Sequence, residues 1–373
     1  MLLEKTLTQS IKFGLYLVLL TPLFFHRSFI FPFIAPKVFI FQSLVEIIFA
    51  LWLGLAIFYP QYRPRLTVVS VSLFLFIAAL IVSSFFGIDL SRSFWSTQER
   101  GLGLFSLFHF AALFLILSSI FGSRTSQLLN WRNYFSFSLA VSFIAAFFAV
   151  IQLTYPSFFL EKVSDRPGSF LGNPTFLAAY LLFHIFIGLW LVINSYEAGF
   201  RKILTKWDFV KMTPILIFIA VLFEILVIFL TQTRGALLGL MAGFLALLIY
   251  FSVFKRDIFG FALAPKLIQK ISIILLCAII GLSSVFWFTR TATIWQSIPV
   301  LKRVADVDLS DSTAGGLLPR FIALKISWQS FLDRPFLGWG FENFKYSFDR
   351  HYDPRLLRSG FTETYFDKPH NVF

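Results

Sequence analysis

Charge is scarce in this chain and cysteine nearly missing. Of 373 residues, 14% are charged and 58% hydrophobic, against about 25% charged and 45–50% apolar in a soluble domain. With a mean hydropathy of +0.80, that shortage excludes a water-soluble fold around one core and points to a bilayer. The one cysteine, Cys277, sits in an apolar segment, so no intrachain disulfide forms and thiols do not report the compartment. The five histidines show no HxxxH or similar ligand spacing, so nothing in the sequence calls for a metal. Gly338 and Gly340 lack the third glycine and the preceding strand of a nucleotide loop. No short-period repeat and no low-complexity tract is present, although phenylalanine occurs 52 times.

Acidic residues are also few: 19 against 32 cations, a formal charge of +13. No compact basic domain carries the excess, which argues against a nucleic-acid partner; the cations lie mostly in loops between apolar runs. Membrane topology and anionic headgroups account for that pattern. The start of the chain lacks the small-residue cleavage site of a signal peptide and reads as a first membrane helix.

The fold class is therefore all-α, a polytopic integral membrane protein with about nine transmembrane helices. They are expected near 9–26, 36–59, 66–86, 102–121, 133–154, 174–194, 213–231, 235–254 and 271–289. With a cytoplasmic N-terminus, inner loops hold about twice as many Lys and Arg as outer ones, in the sense that the positive-inside bias requires. Nine crossings divide the chain into a helical bundle, 1–289, and an extracytoplasmic segment, 290–373. That tail holds nearly half of the acidic residues, and its PRFIALKISWQSFLDR (319–334) reads as an amphipathic helix. Phe321, Leu324, Trp328, Phe331 and Leu332 line one face, lying on the membrane or capping the bundle. The stop at HNVF, just as an apolar stretch begins, suggests a chain that continues into further helices.

Arg234 interrupts two apolar runs in TQTRGALLGLMAG (231–243), although a guanidinium in hydrocarbon costs at least ~2.5–3.5 kcal/mol. At the first turn of a membrane helix it adds a full charge where unpaired N–H groups and the macrodipole already favour an anion such as phosphate. The competing reading is a turn arginine that snorkels to the headgroups. Gly235, Gly239 and Gly243 share a face that a neighbouring helix can approach closely. Arg100, Arg166 and Asn173 fall in predicted outer loops on the side of Arg234, and Arg320 opens the tail helix. Singly each suits a lipid headgroup; together they form a basic cluster suited to pyrophosphate. Gly338 and Gly340 are expected to turn the chain so that Asn343 and Phe344 meet the bundle. His370, polar and beside a predicted membrane boundary, has the pKa range of a general base, whereas His109 and His184 read as core histidines.

These motifs resemble the O-antigen ligase and O-antigen polymerase superfamily. The resemblance rests on TQTRGALLGLMAG, on RPGSFLGNPTFLAAYL (166–181), and on the tail order of an arginine-led helix, RPFLGWGFENF (334–344) and DKPHN (367–371). It covers about residues 90–373, and the ordered set is more specific than any member. It implies a metal-independent inverting glycosyltransferase of the bacterial cytoplasmic (inner) membrane, with no cofactor. The implied donor is a glycan on undecaprenyl pyrophosphate; the acceptor is a glycan, a lipid A core or a protein. The resemblance matches Arg234 and Arg320 to pyrophosphate-binding arginines and His370 to the acceptor-activating histidine. Asn371, in the same DKPHN motif, joins Arg100, Arg166, Asn173 and Asn343 as candidate substrate contacts.

Two readings compete with it. A transporter or flippase for an anionic lipid or solute would use Glu46, Glu224, His109 and His184 as an intramembrane path. A non-catalytic scaffold in envelope assembly would bind partners only.

Overall fold

The computed structural model describes residues 2–97, 99–122, 127–156, 159, 166–197, 209–254, 265–296, 318–357 and 364–368. Among the described residues there is helix and no strand, as the apolar runs require, because a bilayer leaves the backbone no water to bond with. Among the described residues, eight helices are long and apolar enough to span a membrane, and the chain is an all-α, multi-pass membrane protein. They are α2 (Ala35–Phe58), α3 (Val68–Phe85), α5 (Leu104–Phe121), α6 (Gln127–Thr154), α7 (Pro174–Glu197), α8 (Phe209–Thr231), α9 (Arg234–Val253) and α10 (Pro265–Thr289). Six of the eight start within four residues of expectation, and α6 and α10 each start six residues early. The first expected span differs more. Its helix, α1 (Leu2–Leu19), starts seven residues early and stops before Pro22. Hydropathy misses the polar LEKTLTQ turn, which is helix-compatible, and Pro22 cannot continue the helix.

By contacts the chain forms two compact units: residues 1–21, 26–127 and 307–373, and residues 22–25 and 128–306. The polar tail thus packs with the first half of the chain. In the first unit α1 lies on α2, close enough that a Cβ on Gly14 would come within 2.7 Å of Ile48. Three polar rungs join α2 to α5: Gln42 Nε2 donates to Ser106 Oγ (2.9 Å), Trp52 Nε1 donates to Ser119 Oγ (2.8 Å), and His109 Nε2 lies 3.1 Å from Glu46 Oε1. Both intramembrane acids of this sequence thereby find local partners, since Glu224 accepts from Ser142 within the other unit.

The second unit packs α6, α7, α8 and α9 around a core of small and branched residues: Ala145, Ala146 and Ala149 of α6 against Leu177, Ala178, Leu181 and Ile185 of α7. Small side chains bring helix axes close where lipid offers no hydrophobic drive. Of the three glycines on α9, Gly239 and Gly243 meet Leu182 and Phe186 of α7, while Gly235 faces open space.

The tail contains α12 (Leu318–Asp333) and α13 (Phe344–Arg350), following the short helices α4 (Leu90–Trp95) and α11 (Thr293–Gln296). Ile322, Ala323 and Ile326 of α12 close a small core with Phe348, Leu356 and Phe366. This is the face opposite to the stripe that the sequence singles out. Phe321, Leu324, Trp328, Phe331 and Leu332 are all exposed.

Candidate functional site

In the first unit, the end of α3 and the α4 segment receive the WGFEN turn of the tail. The turn is shaped by left-handed backbone at Gly338 (φ 68°), Gly340 (φ 100°) and Glu342 (φ 60°). Gly340 and Gly87 touch backbone to backbone: a Cβ on Gly87 would sit 2.7 Å from the Gly340 Cα. Ile88 N–H donates to Trp339 O (3.2 Å) and Ser83 Oγ donates to Leu337 O (2.6 Å). Ser93 Oγ donates to Phe341 O (2.7 Å) and Arg92 Nε donates to Glu342 O (2.8 Å). These bonds satisfy carbonyls that a buried turn would otherwise strand.

Asn343, expected against the bundle, is 0% exposed. Its Nδ2 shares two protons among Asp89 O (3.2 Å), Trp339 O (3.2 Å) and Ser93 Oγ (3.3 Å). Asp89 caps α4 by accepting from Arg92 N–H, and its other oxygen accepts from Tyr346 Oη (2.8 Å). The Arg92 backbone donor and then the Tyr346 hydroxyl hold the Asp89 carboxyl below its ordinary pKa.

Two ion pairs tie the start of the DKPHN motif to the same place. Arg100 Nη2 lies 3.1 Å from Asp367 Oδ1, and Lys368 Nζ lies 2.7 Å from Glu342 Oε1. The second Glu342 oxygen accepts from Ser96 Oγ (2.9 Å). A non-glycine residue in left-handed backbone carries strain of ~1–3 kcal/mol and persists where its surroundings over-determine it. Glu342 is held at its carbonyl and both carboxylate oxygens. His370 and Asn371 lie outside the described residues. Arg320 stands exposed in the first turn of α12.

In the second unit, Arg234 is the first residue of α9 and is exposed. The turn before it is left-handed at Gln232 (φ 51°). Arg166 holds that turn: its Nε donates to Thr231 O (2.7 Å) and its Nη2 donates to Thr233 Oγ1 (3.0 Å). The RPGSF segment is itself fastened to α6, because Gln152 Oε1 accepts from Gly168 N–H (3.0 Å) and Ser169 N–H (2.8 Å), and Ser169 Oγ donates to Ala145 O (2.7 Å). Asn173, exposed, accepts from Thr175 N–H (2.8 Å) and so opens α7.

The structure therefore joins Arg166 to the turn that carries Arg234, and Arg100 and Asn343 to the tail motifs. Sequence reasoning missed Asp89, Arg92, Ser93, Gln152, Glu342 and Lys368. Asp89 had a usable signal, an Asp three residues ahead of Arg92 at a helix start, and so did Gln152, polar within an apolar run. The Glu342 and Lys368 pair is 26 residues apart in sequence with no helical period to announce it.

The residues of the transporter reading divide between the units. Glu46 pairs with His109, and His184 lies between Ser138 Oγ (2.8 Å) and Tyr180 O (2.8 Å). Glu224 is 0% exposed, and its Oε2 has no hydrogen-bond partner among the described residues.

Residues 216–373 match the family described as O-Antigen ligase. No curated protein and no solved structure matches the chain. The matched segment takes in Arg234, Arg320, the WGFEN turn and the DKPHN motif together, and over that segment the chain is similar to the O-antigen ligase family.

Proposed function

We propose that the protein transfers a glycan from undecaprenyl pyrophosphate to an acceptor hydroxyl at the outer face of the cytoplasmic membrane. The observation that carries this reading is the family match over the segment that includes Arg234, Arg320 and His370. In the reaction the acceptor oxygen attacks the anomeric carbon from the side opposite the leaving group, and the carbon–oxygen bond to pyrophosphate breaks with inversion. His370 takes the acceptor proton, and the guanidinium groups of Arg234 and Arg320 stabilise the charge gathering on the departing lipid pyrophosphate. Arginine suits this task because its planar fork stays charged and bonds two phosphate oxygens at once.

The structure supports a division between contact and positioning. Arg234 is exposed at a helix N-terminus, where backbone N–H groups add to its charge. Arg166 and Asn343 serve the reaction by fixing turns, and Arg100 by fixing the approach of DKPHN through Asp367. Asn173 and Asn371 complete the proposed substrate contacts. The test is transfer by membrane-embedded protein: Arg234→Ala, Arg320→Ala and His370→Ala each reduce turnover at least ~100-fold while leaving insertion unchanged. Full turnover in all three would remove these roles. Transfer that continues in EDTA is expected, and activity restored to chelated enzyme by added metal would contradict the metal-independent mechanism.

One observation favours the transporter reading, the unpartnered carboxyl oxygen of Glu224 in the core of the second unit. Substrate-dependent proton uptake in liposomes that Glu224→Gln abolishes, without glycan transfer, would establish that reading instead.

A further inference from the structure

α12 is apolar on two sides, and among the described residues only one of them is packed against protein. At 100° per residue, Ile322, Ile326, Pro319, Ser330 and Ala323 occupy an arc of about 100°, and these are the buried positions that face α13 and the tail core. Phe321, Leu324, Trp328, Phe331 and Leu332 occupy a second arc of about 100° on the other side, and they are 42–61% exposed. Phe336, 97% exposed, carries the strip past the helix end. Arg320 and Lys325, both exposed, stand on its two margins, each about 20° beyond the outermost apolar residue.

A soluble surface rarely carries such a contiguous apolar strip. Tryptophan, phenylalanine and leucine in the middle with cations at both edges are the side-chain order of a helix lying in a membrane interface. The apolar part sinks into the acyl boundary while the cations remain at the phosphates. We propose that the outer strip of α12 docks on the lipid surface, buried among headgroups and acyl chains, with Arg320 and Lys325 on lipid phosphates. Charge complementarity selects this occupant: a protein partner of similar area would have to bury or pair both flanking cations, whereas an anionic leaflet meets them at no such cost. The inner face then holds the tail core at a fixed depth, so the WGFEN turn and the DKPHN start are presented at headgroup level. The docking rests on the apolar strip; at its edge Arg320 meets a headgroup phosphate when no donor is bound and exchanges it for the donor's pyrophosphate in the proposed reaction.

The single cysteine makes a direct test available. In a Cys277→Ser background, a nitroxide is placed by Leu324→Cys, Trp328→Cys or Phe331→Cys, with Asp349→Cys, exposed on α13, as the aqueous reference. The full chain is studied in nanodiscs of phosphatidylethanolamine and phosphatidylglycerol. The ratio of collisions with oxygen to collisions with a water-soluble nickel chelate is expected to exceed the reference about threefold or more at all three strip positions, as for side chains ~5–10 Å into the boundary. A ratio like the reference would show that the strip faces water. Labels immobilised and shielded from both reagents would show that protein covers it. Either result overturns the proposal.

Discussion

Asn343 illustrates how much one side chain can decide. Its amide shares hydrogen bonds with Asp89 O, Ser93 Oγ and Trp339 O in a fully buried position. Asn343→Ala removes all three of these bonds at once, although Ser93 N–H still donates to Asp89 O and Ile88 N–H to Trp339 O, at a cost of about 1–3 kcal/mol. The amides of residues 339–343 should then exchange hydrogen roughly 5- to 150-fold faster, and unchanged protection would show that the turn is held from elsewhere. Asp89 adds a pH dependence whose sign follows from its lowered pKa. A depressed folded-state pKa stabilises above the unfolded value of ~3.9 and loses that contribution as pH falls through the folded value. Asp353, lowered to about 2 by the Arg355 side chain, acts in the same direction. Protection of the tail should therefore be flat from pH 8 to 5 and fall below about 4; loss near neutral pH would point to another group. Glu342 and Lys368 make an exchangeable pair. If the pair positions the motif before His370, Glu342→Lys lowers kcat with little change in KM, and adding Lys368→Glu restores part of it. Failure of the double variant to recover, from folded protein, would mean that the carboxylate acts through Ser96 alone.

At the scale of elements, the dock between the α3 end and the tail depends on two glycines facing each other. A methyl group on Gly87 would overlap Gly340 Cα, and Gly340 adds a φ of 100° that side chains avoid. Gly87→Ala and Gly340→Ala should each expose the tail to protease and reduce transfer. Gly54→Ala and Gly281→Ala, with open space around them, should do neither. Equal behaviour of all four would contradict the dock. The long apolar helices were legible because hydropathy over about 20 residues is a strong, local signal. The ends of α1 were not, because its first turns are polar but still helix-forming. The apolar stripe of α12 was visible in sequence, but periodicity alone does not say which of two apolar faces meets protein. Only the fold shows that Ile322 and Ile326 face inward while Phe321 and Trp328 do not. Arg234 and Arg320 stood out by charge in apolar or motif context. Glu342 did not, since its role comes from a backbone turn and a partner far along the chain.

For the molecule as a whole, the proposed chemistry requires a charged leaving group to be held at the membrane edge. The intramembrane acids serve another purpose: Glu224 is buried in helix packing and accepts from Ser142, and Glu46, on the exposed side of α2, pairs with His109. Glu224→Gln keeps volume and an acceptor for Ser142, so transfer should remain near wild type, whereas Glu224→Ala should lower thermal stability by ~2–4 kcal/mol through the cavity it leaves. The most direct test of the central claim is native mass spectrometry of the protein with undecaprenyl-pyrophosphate-linked glycan, using undecaprenyl monophosphate as the control. The account predicts selective binding of the pyrophosphate lipid that Arg234→Ala and Arg320→Ala each weaken about tenfold or more. Equal binding of both lipids, unaffected by either substitution in folded protein, would contradict it.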